Sequence, residues 1–300
     1  MRRANRLLAK GLSLLSPEAL ARAGVEKNWK EFMKNVVIQV ENLQALDLDR
    51  IHDVTRYHGY AILRGLVQAS EIERSKLLLR EWFDSQRDRG SRGENPADLE
   101  TDFYQKFLLG ATHQSGMHRP RCYRTIYLSL NFSERFALRA TFITLARVRN
   151  LISELPTDFA IFEDAEGFWT PARIHHYPAG GGFLVEHRDN FIPLVQNSGG
   201  IPAYSQPIVV MSRRGTDFAD GGGFVVDKQG ARVYYEDFSE LGDIILYSDD
   251  TIHGVEDVDP HLVFNQKSFD GRLSGLVTLY KRATSYEEIM QSAGVSSKLG

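Results

Sequence analysis

The chain has 300 residues, 42% of them hydrophobic and 25% charged, with a formal net charge of -3. That balance supplies a sizeable core and gives no electrostatic reason to expect a nucleic acid or an anionic membrane as partner. A single cysteine, Cys122, excludes a disulfide within the chain and makes a reducing, cytoplasmic setting the expectation.

The first residues, Met1-Arg2-Arg3-Ala4-Asn5-Arg6, are basic and lead into Leu7, Leu8, Leu12, Leu14 and Leu15. The stretch has no small-residue cleavage site and no continuous apolar centre. A docked or partner-binding amphipathic helix is therefore favoured over a targeting segment. No apolar run has the length of a membrane span. Helical spacing of apolar residues predicts helices over 3–22 and 26–42. Tyr57 to Gly65 reads as a short strand closed by glycine. Ser70 followed by Glu73 is a capping-box pattern, and Ile72, Leu77, Leu79 and Trp82 carry a helix onward. The stretch 88–98 has turn composition and no period, and reads as a surface loop. Phe136, Leu138, Phe142, Leu145, Val148 and Leu151 mark one amphipathic helix over about 133–154.

The second half changes character. Short β-rich runs fall at 173–177, 183–187, 206–212, 223–227, 231–235, 244–248, 252–258 and 272–280, separated by glycine-rich turns. Short strands at such spacing point to a double-sheet jelly roll rather than a parallel sheet. The expectation is one domain: a mainly helical buttress over about 1–155, a jelly-roll core over about 156–283 and a tail over 284–300.

His187-Arg188-Asp189 carries the chemistry. Residues two apart on a strand share a face, so His187 and Asp189 can both face the barrel interior while Arg188 points away. His253, in Thr251-Ile252-His253-Gly254-Val255, must come from another strand. Two imidazoles and one carboxylate hold one face of an octahedral ferrous ion and leave the other face open for substrates. The tripeptide alone is weak, and a surface pair would explain it equally. Its surroundings change the balance. Tyr177-Pro178-Ala179-Gly180-Gly181 precedes it, Gly242-Asp243-Ile244-Ile245-Leu246-Tyr247 precedes His253, and Arg272-Leu273-Ser274 follows. Arg272 and Ser274 share a strand face. A guanidinium aimed into a barrel requires an anion, and its planar fork matches a carboxylate.

Taken together, these motifs resemble the Fe(II)/2-oxoglutarate-dependent oxygenase superfamily, over roughly residues 170–283 and more loosely at the Gly59–Gly65 strand. The resemblance implies a mainly β fold: a double-stranded β-helix, cupin-like, buttressed by N-terminal helices. It implies iron ligation by His187, Asp189 and His253, with Arg272 and Ser274 holding the far carboxylate of 2-oxoglutarate and Tyr177 adding a contact. It further implies dioxygen as co-reactant and oxidation, hydroxylation foremost, of an unactivated C–H bond in a small molecule. Arg272 lies further beyond His253 than is usual in the superfamily, because residues 259–270 read as an inserted loop. Arg173 is the alternative clamp. Asp189 speaks against a halogenase, which leaves that ligand position free for halide.

Other residues keep two readings each. Asn190 either touches the substrate or braces Asp189. His175 faces inward by alternation, as a substrate contact or as a hydrogen-bonded structural histidine. Arg119 and Arg121 lie in a polar, basic and aromatic segment that is either a lid over an acidic substrate or a solvated connector. Gly180-Gly181-Gly182 is a turn and not a phosphate loop, since no helix or Gly-Lys-Ser/Thr follows. Cys122 reads as an inert thiol. Two rival functions remain at this level: another cupin-like metalloenzyme, hydrolase or isomerase, and a non-catalytic jelly-roll binding protein.

Overall fold

A computed structural model describes residues 35–89, 103–110, 120–189 and 205–281. The described amino-terminal half contains β1 (Val37–Gln39), α1 (Leu48–His58), β2 (Tyr60–Arg64), α2 (Ala69–Trp82), β3 (Asp88–Arg89), β4 (Tyr104–Leu109), β5 (Cys122–Leu128) and α3 (Arg139–Ile152). The carboxy-terminal half contains β6 (Phe168–Trp169), β7 (Ala172–Pro178), β8 (Gly182–His187), β9 (Gln206–Val210), β10 (Gly222–Val226) and β11 (Arg232–Tyr234). It continues with β12 (Ile244–Tyr247), β13 (His253–Val258), β14 (Gly271–Val277) and β15 (Tyr280–Lys281).

Strands from β7 to β14 alternate between two layers, except that the β10–β11 hairpin stays within one. One layer runs β12-β9-β14-β7 and the other β8-β13-β10-β11. This is the jelly-roll winding of a double-stranded β-helix, as expected. β5 joins the layers at one seam, antiparallel to β7 and parallel to β8. At the far edge β2 pairs with β12, and β1 with β2. All eight strands read from the second half of the sequence are present within a few residues of their expected bounds.

Strand alternation decides what each face does. Ile174 on β7, Leu273 and Val277 on β14, Val209 on β9 and Leu246 on β12 point outward into a buried apolar cluster. The helices supply its other half, with Phe142, Leu145 and Val148 of α3 packed over β9 and β14. Gly275 makes this approach possible. A Cβ there would stand 3.0 Å from both the Phe142 ring and Val209 and 3.1 Å from Met211. The opposite alternation, Arg173, His175 and Tyr177 on β7 with Arg272 and Ser274 on β14, turns polar groups into the barrel.

Several expectations are corrected. Val37–Gln39 is a strand rather than the end of a helix over 26–42, and Ile38 buries against the core. The expected strand starts three residues late, because Tyr57 and His58 close α1 and Gly59 caps it at φ +86°. Asp47 is the N-cap of α1, and its carboxylate accepts from the Arg50 amide at 3.0 Å. The Ser70–Glu73 capping box does not form. Gln68 is the N-cap of α2 and makes no side-chain cap bond. The helix expected over 133–154 is split by Ala137, at φ +53°, into a 3₁₀ turn and α3. β4 and β5 were not expected as strands. The helix expected over 3–22 lies outside the described residues, as does most of the 88–98 loop.

Two measurements follow. Phe142→Ala removes a fully buried ring, and urea unfolding should show a loss of about 3–5 kcal/mol. Cys122 is fully buried beside the Gly181 carbonyl, and burial pushes its thiol up to about 12. It should resist iodoacetamide at pH 8 in the folded protein and react in urea; reaction at the same rate in both would contradict this packing.

Candidate metal centre and cavity

The ladder between β8 and β13 places His187 directly opposite His253. Their ring centroids are 4.3 Å apart. Asp189, two residues beyond His187, returns to the same side. Its Oδ1 lies 3.7 Å from His187 Nε2 and 3.8 Å from His253 Nε2. The three donor atoms lie within 4.8 Å of one another.

Both imidazoles are oriented by their other nitrogen. His187 Nδ1 donates to the Val185 carbonyl at 2.9 Å, and His253 Nδ1 to the Thr251 carbonyl at 3.0 Å. A proton held on Nδ1 leaves the Nε2 lone pair facing Asp189, the tautomer a metal requires. Burial pushes the His253 pKa below its ordinary value, against the pull of Asp189, so the ring is neutral at physiological pH. The Tyr247 ring covers His253 at 4.2 Å. Arg188 faces away, its Nε donating to the Asp250 carbonyl. Two imidazoles and a carboxylate converging on one point suit a divalent transition metal such as iron.

The cavity next to this cluster has a second charged end. Arg272 is 2% exposed. It sits opposite Tyr177 in the β14–β7 register, so the 259–270 loop does not displace it from the barrel. Its Nη1 donates to Ser274 Oγ at 3.3 Å and its Nη2 to Tyr235 Oη at 2.9 Å, with the guanidinium 5.0 Å from the Tyr177 ring centre. Its Nε donates to Glu236 Oε1 at 2.5 Å, and Glu236 Oε2 accepts the Gly223 amide at 2.6 Å. Burial alone would lower the Arg272 pKa, but Glu236, Tyr235 and Tyr177 outweigh it and the group stays charged. Glu236 occupies the Nε edge. Arg272 and Ser274 both line the cavity. Gly223 is needed here, because a Cβ would lie 2.0 Å from Tyr235 Oη and 2.8 Å from Arg272 Nη2.

His175 lies between the two ends and lines the cavity. Its Nδ1 is 3.3 Å from Tyr177 Oη, and burial, then Arg173, lowers its pKa to about 3. It is a neutral hydrogen-bonding group in that position. Its neighbour His176 faces the other way, against Phe269. Arg173 also lines the cavity, flanked by the rings of Tyr127 and Tyr280. Arg121 does not line it. Both arms of its guanidinium are held by Asp257, at 2.9 and 2.5 Å, over the Phe183 ring. Arg119 and Asn190 lie outside the described residues. Sequence reasoning missed Glu236 and Tyr235, which sit in a short 3₁₀ turn after β11 with no periodic signal. It also missed Tyr247, whose place at the end of the buried strand before His253 was the available clue.

No protein-family model matches the chain, and no curated protein matches it. Solved structures of similar fold include a Pseudomonas putida prolyl-4-hydroxylase, 12% identical with a TM-score of 0.45, over 79% of this chain and 100% of that one. EctD from S. alaskensis with bound Fe is 16% identical with a TM-score of 0.42, over 76% and 74%. SnoN, a non-heme alpha-ketoglutarate-dependent epimerase from nogalamycin biosynthesis, is 15% identical with a TM-score of 0.43, over 81% and 88%. Likeness at this level concerns the course of the chain alone.

The buried Arg272–Glu236 pair sets up a stability test, both side chains being 3% exposed or less. Glu236→Ala leaves an uncompensated buried cation and should lower stability by about 3–5 kcal/mol. Glu236→Leu combined with Arg272→Met should recover most of that loss. Urea titration of the single and double variants decides; losses that simply add would contradict a coupled pair.

Proposed function

We propose that this chain is an iron(II)- and 2-oxoglutarate-dependent oxygenase that hydroxylates an unactivated C–H bond of a small molecule, as one domain spanning residues 1–300. The observation that carries the reading is the pairing, in one cavity, of the His187–Asp189–His253 cluster with a buried guanidinium and hydroxyl, Arg272 and Ser274. A hydrolase or isomerase using the same three ligands has no need of a carboxylate clamp at the far end. A binding module has no need of the metal cluster.

Each residue then has a task. His187, Asp189 and His253 hold the metal on one face, with their imidazoles fixed by backbone carbonyls. Arg272 and Ser274 receive the distal carboxylate of 2-oxoglutarate, and Glu236 holds the guanidinium in the orientation this needs. Tyr177 borders the cosubstrate, its hydroxyl near neutral His175. When bound, iron and 2-oxoglutarate supply oxidative decarboxylation to succinate and carbon dioxide, coupled to transfer of oxygen to the substrate. Asp189 fills the position a halogenase would leave to halide. Asn190 follows Asp189 directly in the sequence, and its task in this reading is to touch the substrate or to brace that ligand. Among the described residues no helix is long and apolar enough to cross a membrane. A cytoplasmic enzyme is the reading consistent with a single buried thiol.

Anaerobic addition of Fe(II) and 2-oxoglutarate should produce a weak visible charge-transfer band, followed by succinate release when air is admitted. Metal uptake with no band and no succinate would contradict the oxygenase reading. The Glu236→Leu/Arg272→Met variant keeps the pocket free of a stranded charge and should weaken 2-oxoglutarate binding by about 10- to 100-fold, from lost charge-assisted bonds.

A further inference from the structure

The polar groups of the cavity wall are not all satisfied by one another. At the clamp end Arg272 is bonded to Glu236, Tyr235 and Ser274. Elsewhere in the wall, Gln206, Thr278 and Thr125 are 3%, 5% and 1% exposed. Gln206 Oε1 and both threonine hydroxyls have no hydrogen-bond partner among the described residues. Buried polar atoms are nearly always bonded, and leaving one unmet is costly. Oxygens of this kind on a cavity wall mark where a ligand bonds.

Gln206 is the most tightly determined of the three. Its Nε2 donates to the Val277 carbonyl at 2.7 Å. A carbonyl can meet only the nitrogen of the amide, so Oε1 is turned the other way, toward the cavity. An amide oxygen accepts and cannot donate. Gln206 also stands beside the metal centre. It pairs across the β9–β12 ladder with Tyr247, whose ring lies 4.2 Å from His253. Thr278 follows Val277 and lies roughly 20 Å along the strand from Arg272 at the usual rise per residue. A small dicarboxylate held by Arg272 does not reach that level.

Charge narrows the class of ligand. Among the described residues lining the cavity, Asp189 is the sole carboxylate, and it belongs to the metal cluster. An ammonium group would enter without a counter-charge. A bare hydrocarbon would leave Gln206 Oε1 nothing to accept. A neutral hydroxyl or amide N–H meets both conditions.

We propose that the substrate carries a neutral O–H or N–H donor, and that Gln206 Oε1 accepts it beside the metal centre. This deepens the oxygenase reading above and rests on it. The anchored group sets which carbons of the substrate lie nearest the metal ligands, so oxidation falls close to the group that Gln206 holds.

The test uses full-length protein loaded with Mn(II), which is redox-silent and paramagnetic, and with saturating 2-oxoglutarate. The probes are benzamide against acetophenone, benzyl alcohol against ethylbenzene, and benzylamine as the cation. The members of each pair match in shape and differ in the donor. Proton relaxation reports which of them sits close to the metal. At least one donor should be relaxed about fivefold more strongly than its partner, the size of one hydrogen bond. Gln206→Met, similar in volume and without the amide, should erase that preference. Gln206→Glu makes the acceptor anionic and should raise benzylamine above benzyl alcohol. Retained 2-oxoglutarate binding, read by calorimetry, shows that each variant is folded. If the methionine variant loses it, the glutamate variant decides alone. Equal relaxation of donors and partners in the wild-type protein, no relaxation of any probe, a preference that survives Gln206→Met, or no gain for benzylamine in Gln206→Glu would overturn the proposal. Failure of the wild-type protein to bind Mn(II) and 2-oxoglutarate is a separate result, and it withdraws the oxygenase reading together with this one.

Discussion

The pairing of β8 with β13 is the constraint on which the rest depends. It sets His187 opposite His253, and the two-residue period of an extended strand brings Asp189 back to the same side. A slip of one residue in that ladder would turn His253 out of the barrel and put Ile252 or Gly254 in its place. The jelly-roll winding matters to function for this reason. It delivers residues 187 and 253, distant in sequence, to one rung of one ladder. Backbone carbonyls then finish the work by fixing both ring tautomers.

The same alternation builds the rest of the cavity at an energetic cost. β7 and β14 send apolar side chains outward to the helices and polar or charged ones inward. A buried guanidinium is tolerated because Glu236 compensates its charge and accepts a backbone amide as well. A glycine at 223 keeps that pocket open. The arrangement contributes position more than stability, since a buried ion pair rarely outperforms well-packed apolar side chains. What it provides is a fork whose orientation is already set before a carboxylate arrives. That preorganisation lowers the cost of binding.

The carboxy-terminal strands were legible because each is a short β-rich run bounded by glycine or turn residues. The convergence of His187 and Asp189 was legible because the H-x-D spacing coincides with strand period. The amino-terminal strands were not. β5 buries Arg124, Thr125 and Tyr127 along with its apolar residues, so its composition resembles a solvated connector. Arg124 is buried there because Asp88, at the other end of a long excursion, accepts its Nε at 3.0 Å, a pairing no local pattern reveals. Glu236 was hidden for the same reason. An acidic residue in a turn reads as surface until the fold carries Arg272 to it. Val37–Gln39 has apolar residues that satisfy a helical or an extended period, and the neighbouring edge of β2 decides between them. Tertiary pairing, rather than local propensity, settled each of these.

His187, Asp189 and His253 converge on one point that a single divalent ion would fill. Iron content after anaerobic reconstitution and desalting tests it most directly, compared between the wild-type chain and the His187→Ala, Asp189→Ala and His253→Ala variants. The prediction is one ferrous ion per wild-type chain and near-complete loss in both histidine variants, with folding preserved. Undiminished iron in either histidine variant would contradict the centre described here.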